Sequence, residues 1–158
     1  LKNTADHVVV LYGDMPLISP ESIKRLVERH LDRENTVTIM TVTVPDYTEW
    51  REAFYSFGRI VRGQDGHIVR ITEKKDANEA ELEIKELNPG IYCFKNDWLL
   101  TNLSKLKNNN AQQEYYITDL IGEAIAQGQK ISSIEIDPKE ALGINSPADL
   151  ETARNLSV

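Results

Sequence analysis

Apolar runs rich in β-branched residues alternate along this chain with stretches whose apolar residues recur every three or four positions. Val8-Val9-Val10-Leu11 is an uninterrupted apolar run, the pattern of a central strand buried on both faces. Gly13 permits a sharp exit from it, and Pro16 stops it from continuing. Ser19-Pro20-Glu21 is a helix-start signal, with Ser as N-cap and Pro in the first turn. Ile23, Leu26, Val27 and Leu31 follow at helical spacing, which predicts an amphipathic helix over 20–33. Residues 36–44 alternate hydroxyl and apolar side chains until Pro45, the pattern of a strand with two unlike faces. A short helical or irregular connection is expected over 48–55.

Asp65-Gly66 lies between two β-branched runs, 58–62 and 67–72, which predicts a hairpin. Residues 76–85, rich in Ala, Glu and Leu, read as a short helix or ordered loop. Residues 86–94 form a strand interrupted at Asn88-Pro89-Gly90. Helices are predicted over 98–106 and 117–127, the second stopped by Gly128. A strand over 130–136 and a terminal helix over 147–156, capped by Ser146, complete the series. Strands alternating with helices predict an α/β fold: a mixed, mostly parallel sheet with flanking helices and an inserted β-hairpin. No repeat, low-complexity tract or linker divides the 158 residues, so 1–158 reads as a single domain or part of one.

Composition narrows the function classes. Hydrophobic residues at 41% and charged residues at 27% are ordinary for a soluble globular protein. A formal net charge of -7 and a pI of about 5.0 disfavour nonspecific attraction to nucleic acid or to an anionic membrane. The same balance permits a phosphorylated small substrate whose charge a metal neutralises locally. Cys93 is the only cysteine, so no internal disulfide forms, which fits a reducing compartment; its apolar neighbours make it core. His7, His30 and His67 are scattered without ligand spacing and are assigned no metal. No run reaches membrane-spanning length and no signal peptide is visible. The chain starts at Leu1 and enters a strand almost at once, so it reads as a piece of something longer.

Asp14 falls at the carboxyl end of the first strand, where ligands bind in open α/β sheets. With no basic residue close in sequence, it is a candidate ligand for a hard cation such as Mg²⁺; an Asp that only caps a loop is the competing reading. Further polar loop segments are Phe57-Gly58-Arg59, Glu73-Lys74-Lys75-Asp76, Asn88-Pro89-Gly90, 108–116 and Gly143-Ile144-Asn145. Most follow or interrupt a predicted strand. Each also has a plain structural reading: Gly58 as a strand-entry glycine, Glu73 in a solvated charge cluster, Asn145 as a turn residue. Tyr115 and Tyr116 are adjacent and point different ways, so at least one is expected in the core.

The order and wording of these segments resemble a known family, the uridyltransferase domain of the bifunctional bacterial enzymes that make UDP-N-acetylglucosamine. The matching phrases are LYGDMPLISPE, FGRIVR, ITEKKDA, ELNPGIYCF, NNNAQQEYYITDLI and GINSPADL, from residue 8 to about residue 150. GDxPL is shared by many sugar nucleotidyltransferases; NAQ-x-EYYITD is far more specific. The resemblance implies a GT-A-like, Rossmann-like nucleotidyltransferase fold, a cytoplasmic setting and a role in supplying peptidoglycan and lipopolysaccharide synthesis. It implies Mg²⁺-dependent attack of N-acetylglucosamine 1-phosphate on the α-phosphorus of UTP, with pyrophosphate leaving. The nucleophile is already an anion, so no general base is needed, and catalysis is positioning and charge stabilisation.

Residue by residue, the resemblance makes Asp14 and Asn145 the catalytic metal pair. It sets Tyr12 and Gly13 beside the nucleotide-sugar, Gly58 where a Cβ would crowd the sugar, and Glu73 as acceptor for sugar hydroxyls. Asn88 contacts the sugar, and Glu114, Tyr116 and Thr118 line its pocket. Two departures are small: Pro89 stands where the family has Thr, and Gln113 where it has Gly. A third is large. The family's Gly-rich basic loop that cradles the triphosphate, and its uracil-reading segment, have no counterpart here. The chain therefore resembles the C-terminal portion of such a domain. It is expected to need the missing N-terminal part for activity and, with a sheet edge exposed, to self-associate. A nucleotidyltransferase for another sugar phosphate and a non-catalytic sugar-nucleotide-binding module remain the alternatives.

Overall fold

The structure, a computed structural model, describes residues 4–109 and 112–156. Seven strands form one sheet: β1 His7–Val10, β2 Val37–Thr43, β3 Gly58–Arg62, β4 Ile68–Thr72, β5 Glu86–Asn88, β6 Tyr92–Lys95 and β7 Ile131–Glu135. The helices are α1 Pro20–Asp32, α2 Glu79–Leu82, α3 Asn96–Leu103, α4 Asp119–Ala126 and α5 Pro147–Leu156. Two 3-10 helices, Glu49–Ser56 and Pro138–Ala141, fill connections. The predicted helix starts hold: Ser19 caps α1 by accepting from the Ser22 amide at 3.1 Å, and Ser146 accepts from Asp149 N at 3.2 Å. In the short α2, Asn78 and Glu81 form a reciprocal capping box.

The sheet order is β1-β6-β2-β5-β3-β4, with β7 added to β2. The expectation of a mostly parallel sheet is wrong. Only β2 and β7 pair in parallel; every other pair is antiparallel. The reason lies in β6. The helical connections do make β1, β2 and β7 run the same way, but β6 inserts between β1 and β2, antiparallel to both. The hairpin β3–β4 and its neighbour β5 add further antiparallel pairs, with Gly66 at φ +79° in the turn.

The predicted break at Asn88-Pro89-Gly90 shapes the molecule. On one edge of β2, Ile39 faces Tyr92 and Val42 faces Leu87, so three steps along β2 match five along its partner. The surplus residues loop out, and the partner strand separates into β6, which carries β1, and β5, which carries β3 and β4. The sheet divides there, and the divide leaves room for a ligand.

Helix α1 covers one face over Met15, Leu26, Met40, Val42, Leu87 and Cys93. Helices α3 and α4 cover the other with Leu99, Leu120, Ile121 and Ala124 against Val37, Ile39, Tyr92 and Phe94. Strand β2, in the middle, is buried from Val37 through Val42. Strand β1 is not the central, doubly buried strand its apolar run suggested. It ends the strand order, is paired on one edge only, and leaves Val9 36% exposed. Among the described residues no helix is long and apolar enough to cross a membrane.

Candidate functional site

A cavity of about 640 Å³ opens at the divide in the sheet. Eight of the ten candidate residues line it: Tyr12, Asp14, Gly58, Glu73, Asn88, Glu114, Tyr116 and Thr118. They come from the end of β1, the start of β3, the end of β4, the β5–β6 break and the loop before α4. Gly13 and Asn145 do not line it. Val10, Met15, Ser56, Phe57, Pro89, Gly90, Tyr92, Gln112, Tyr115 and Ile117 do, although none of these was a candidate site residue. Tyr92 sits inside an apolar phrase and reads as core from sequence. The NAQ-x-EYYITD phrase begins at Asn110 and Ala111, which lie outside the described residues.

Glu73 follows β4 directly, and its Oε1 accepts the Thr118 hydroxyl at 2.9 Å. Burial raises the Glu73 carboxyl above the usual carboxylate range; the Thr118 bond opposes this, and the nearby Asp76 and Asp119 add to it. Its other oxygen lies close to Gly58. A Cβ on Gly58 would sit 3.5 Å from Glu73 Oε2 and 3.2 Å from Ile71 Cγ2. Gly58 thus makes room for the carboxylate as well as opening the strand.

Asn88 is buried and committed to its own turn. Its Oδ1 accepts from the Gly90 amide at 3.1 Å, and its Nδ2 donates to the Tyr92 hydroxyl at 2.7 Å. Gly90 has φ +79°. Pro before a left-handed Gly is the type II turn pattern, so Pro89 suits this turn, where Pro's missing N–H is no handicap. The second departure behaves alike. Gln113 holds φ +56°, the left-handed conformation for which Gly is the default residue, so the loop keeps that turn with a side chain present. Neither Tyr115 nor Tyr116 is core, contrary to expectation: Tyr115 is 68% exposed, and Tyr116 is partly exposed at the cavity wall with its hydroxyl donating to Gln112 Oε1 at 2.7 Å. Both face the cavity because their loop runs along its rim.

Asp14 and Asn145 meet over Gly143. A Cβ on Gly143 would lie 3.4 Å from Asp14 Oδ2 and 3.4 Å from Asn145 Nδ2. The Ile144 amide donates to the Asp14 carbonyl at 2.8 Å, which ties the two loops together, and Asn145 N donates to Asp149 at the start of α5. Among the described residues no group of three or more His, Cys, Asp or Glu is placed to hold a metal. One carboxylate and one amide around a glycine are a sparse donor set of the kind a hard divalent cation takes alongside waters and phosphates, with the Asn145 amide turned to offer its Oδ1 in place of the Nδ2 that faces the gap. A larger residue at Gly143 would fill that gap.

The histidines hold a surprise. His7 Nδ1 lies 3.0 Å from His30 Nε2, and His30 Nδ1 lies 3.0 Å from the Thr38 hydroxyl. The pair fastens β1 to α1 and β2. Burial, with His7 adding, pushes His30 down to about 4.

The sheet is divided, with a half-polar cavity at the divide and a carboxylate–amide pair beside it. The chain belongs to the nucleotidyl transferase family, whose family model matches residues 1–139. Among curated proteins, the bifunctional protein GlmU of Brevibacillus brevis is 43% identical over 145 residues, covering 91% of this chain and 30% of that protein. The bifunctional protein GlmU of Streptococcus pyogenes serotype M3 is 40% identical over 157 residues, 99% of this chain and 33% of its own length. The chain thus spans less than half the length of these relatives. Two solved structures share the fold. A putative glucose-1-phosphate thymidylyltransferase from Bacillus anthracis has a TM-score of 0.67 at 22% identity, covering 96% of this chain and 55% of that one. A CMP:2-keto-3-deoxy-manno-octonic acid synthetase complexed with CTP has a TM-score of 0.62 at 22% identity, covering 99% and 63%.

Proposed function

We propose that this chain provides the sugar-phosphate side of a uridylyltransferase site. The substrates are UTP and N-acetylglucosamine 1-phosphate; the products are UDP-N-acetylglucosamine and pyrophosphate. The observation that carries the reading is the meeting of eight candidate residues from five separate segments in one cavity, with Glu73 oriented by Thr118. Membership of the nucleotidyl transferase family supports the reaction class. The resemblance of the EYYITD, ITEKKDA and GINSPADL phrases supports the particular sugar and nucleotide.

In this reading a phosphate oxygen of the sugar 1-phosphate forms a bond to the α-phosphorus of UTP. The bond from that phosphorus to the bridging oxygen breaks, and the electron pair leaves with pyrophosphate. Glu73 accepts hydrogen bonds from sugar hydroxyls, Gly58 lets the ring approach the backbone, and the half-exposed Tyr12 covers it. Asn88 keeps one N–H beyond its turn for the sugar, and Glu114, Tyr116 and Thr118 close the far wall. Asp14 and Asn145 would hold Mg²⁺, which would offset the charge of the approaching phosphates.

The test is pyrophosphate release by the full-length gene product with UTP, Mg²⁺ and a panel of sugar 1-phosphates. Turnover fastest with N-acetylglucosamine 1-phosphate is expected. Preference for another sugar phosphate would replace this reading with the alternative specificity, and binding of UDP-N-acetylglucosamine without any turnover would make the chain a binding module.

A further inference from the structure

Arg59 is the largest fully buried side chain among the described residues, and no carboxylate among them lies within ion-pair distance of it. Its Nε and Nη2 have no hydrogen-bond partner there. Its guanidinium lies beside two T-packed tyrosine rings whose centroids are 5.0 Å apart, 5.5 Å from the centroid of Tyr47 and 5.1 Å from that of Tyr55. Lys85 and Lys74 sit over the same two rings at 4.0 and 4.5 Å, so each ring is shared by Arg59 and one lysine. Burying a cation without a counter-charge is costly, and two silent N–H-bearing nitrogens add to the cost. Ring faces offset only part of it.

What the guanidinium does hold is specific. Nη1 donates to the carbonyl of Tyr55 at 2.9 Å and also to the carbonyl of Phe57. Those two carbonyls flank Ser56, at the exit from the 3-10 helix Glu49–Ser56 into β3. Ser56, Phe57 and Gly58 form one wall of the cavity, and Arg59 does not itself line it. Successive strand residues face opposite ways, so Gly58 meets the cavity while Arg59 grips the wall from behind. The wall has little slack, because even a Cβ on Gly58 would press on Ile71 and reach the Glu73 carboxylate.

We infer that Arg59 is a positioning residue for sugar recognition: it clamps the Tyr55 and Phe57 carbonyls from behind and so fixes the Ser56–Gly58 wall against Glu73. Loss of the clamp lets the wall move and takes away the slot in which the Glu73 carboxylate is held. The inference rests on the proposed sugar-phosphate chemistry of this cavity. It also accounts for the location of the buried charge, at the one strand whose first residue is a cavity glycine.

Steady-state kinetics of the full-length gene product test it with R59K, which keeps the charge but not the planar fork, and R59M, which keeps only bulk. Both variants should raise KM for the sugar phosphate about tenfold or more, with KM for UTP within about twofold of the parent and an intact cooperative melt. R59K should retain more of the sugar affinity than R59M. Unchanged sugar KM in both variants overturns the inference, as does a parallel rise in both KM values. If R59M does not fold, R59K decides; loss of the folded state in both makes Arg59 a stability residue and overturns it too. An unsubstituted protein that turns over no sugar phosphate fails the functional reading instead, which separates the two claims.

Discussion

The Tyr12 ring fills the space that a side chain on Gly90 would need: a Cβ there would lie 2.1 Å from Tyr12 Cε2. The two residues touch at the cavity lining, one following β1 and one in the β5–β6 break. Tyr12 is 51% exposed, so its ring can swing outward when pushed. Gly90→Ala should therefore cost about 1–2 kcal/mol of stability, from the left-handed backbone, and a larger share of ligand affinity, from the displaced ring. Denaturant unfolding and sugar-phosphate KM separate the two effects. In a Tyr12→Ala background, Gly90→Ala should leave KM unaltered.

Glu73 is predicted to trade stability for recognition. Burial raises its carboxyl in the folded state, so the folded protein holds this proton to higher pH than the unfolded chain does. Stability from this group is therefore present at low pH and declines as pH rises through the raised value. Glu73→Gln should be more heat-stable than the parent at pH 7 and should lack that decline. Its affinity for the sugar phosphate should fall, and the parent's affinity should weaken on acidification as the carboxylate is protonated. Thr118→Val removes the hydroxyl that orients the acceptor, at about 1 kcal/mol, or several-fold in sugar-phosphate KM.

Much of this site was legible because its residues are named by loop phrases at strand ends. Tyr12, Gly58, Glu73 and Asn88 lie in four different segments, yet each opens, follows or interrupts an apolar run, and the run fixes where its end projects. Strand direction was less legible. Periodicity reports burial and helical crossovers, and it carried the common direction of β1, β2 and β7. It does not report that β6 would slide between β1 and β2, because pairing partners are a property of the assembled sheet. The apolar run of β1 likewise says nothing of which edge is covered. Arg59 and the His7–His30 contact were invisible for a related reason: each depends on side chains brought together by tertiary packing, in the second case across 23 residues.

The His7–His30 contact makes a pH prediction of its own. His30 is fully buried and is pushed down to about 4, against an ordinary value of 6.5. The unfolded chain binds this proton more readily than the folded one between those values, so stability is present above about pH 6.5 and is lost as pH falls toward 4. The loss from this group is on the order of 3 kcal/mol. Equilibrium unfolding at pH 7 and pH 4.5 measures it. His30→Gln should flatten that part of the stability–pH curve; an unchanged slope would place the proton uptake elsewhere.

Asp14 and Asn145 approach each other over Gly143, beside the cavity proposed for the sugar phosphate, and their joint hold on a cation is the central claim. Its most direct measurement is pyrophosphate release from UTP and N-acetylglucosamine 1-phosphate by the full-length gene product carrying Asp14→Ala, with folding checked by thermal melting. The account predicts a cooperative melt like the parent's and a fall in kcat of about a hundredfold or more, because the carboxylate that holds the charge-offsetting cation is gone. Turnover at the parent's rate with a normal Mg²⁺ dependence would contradict it.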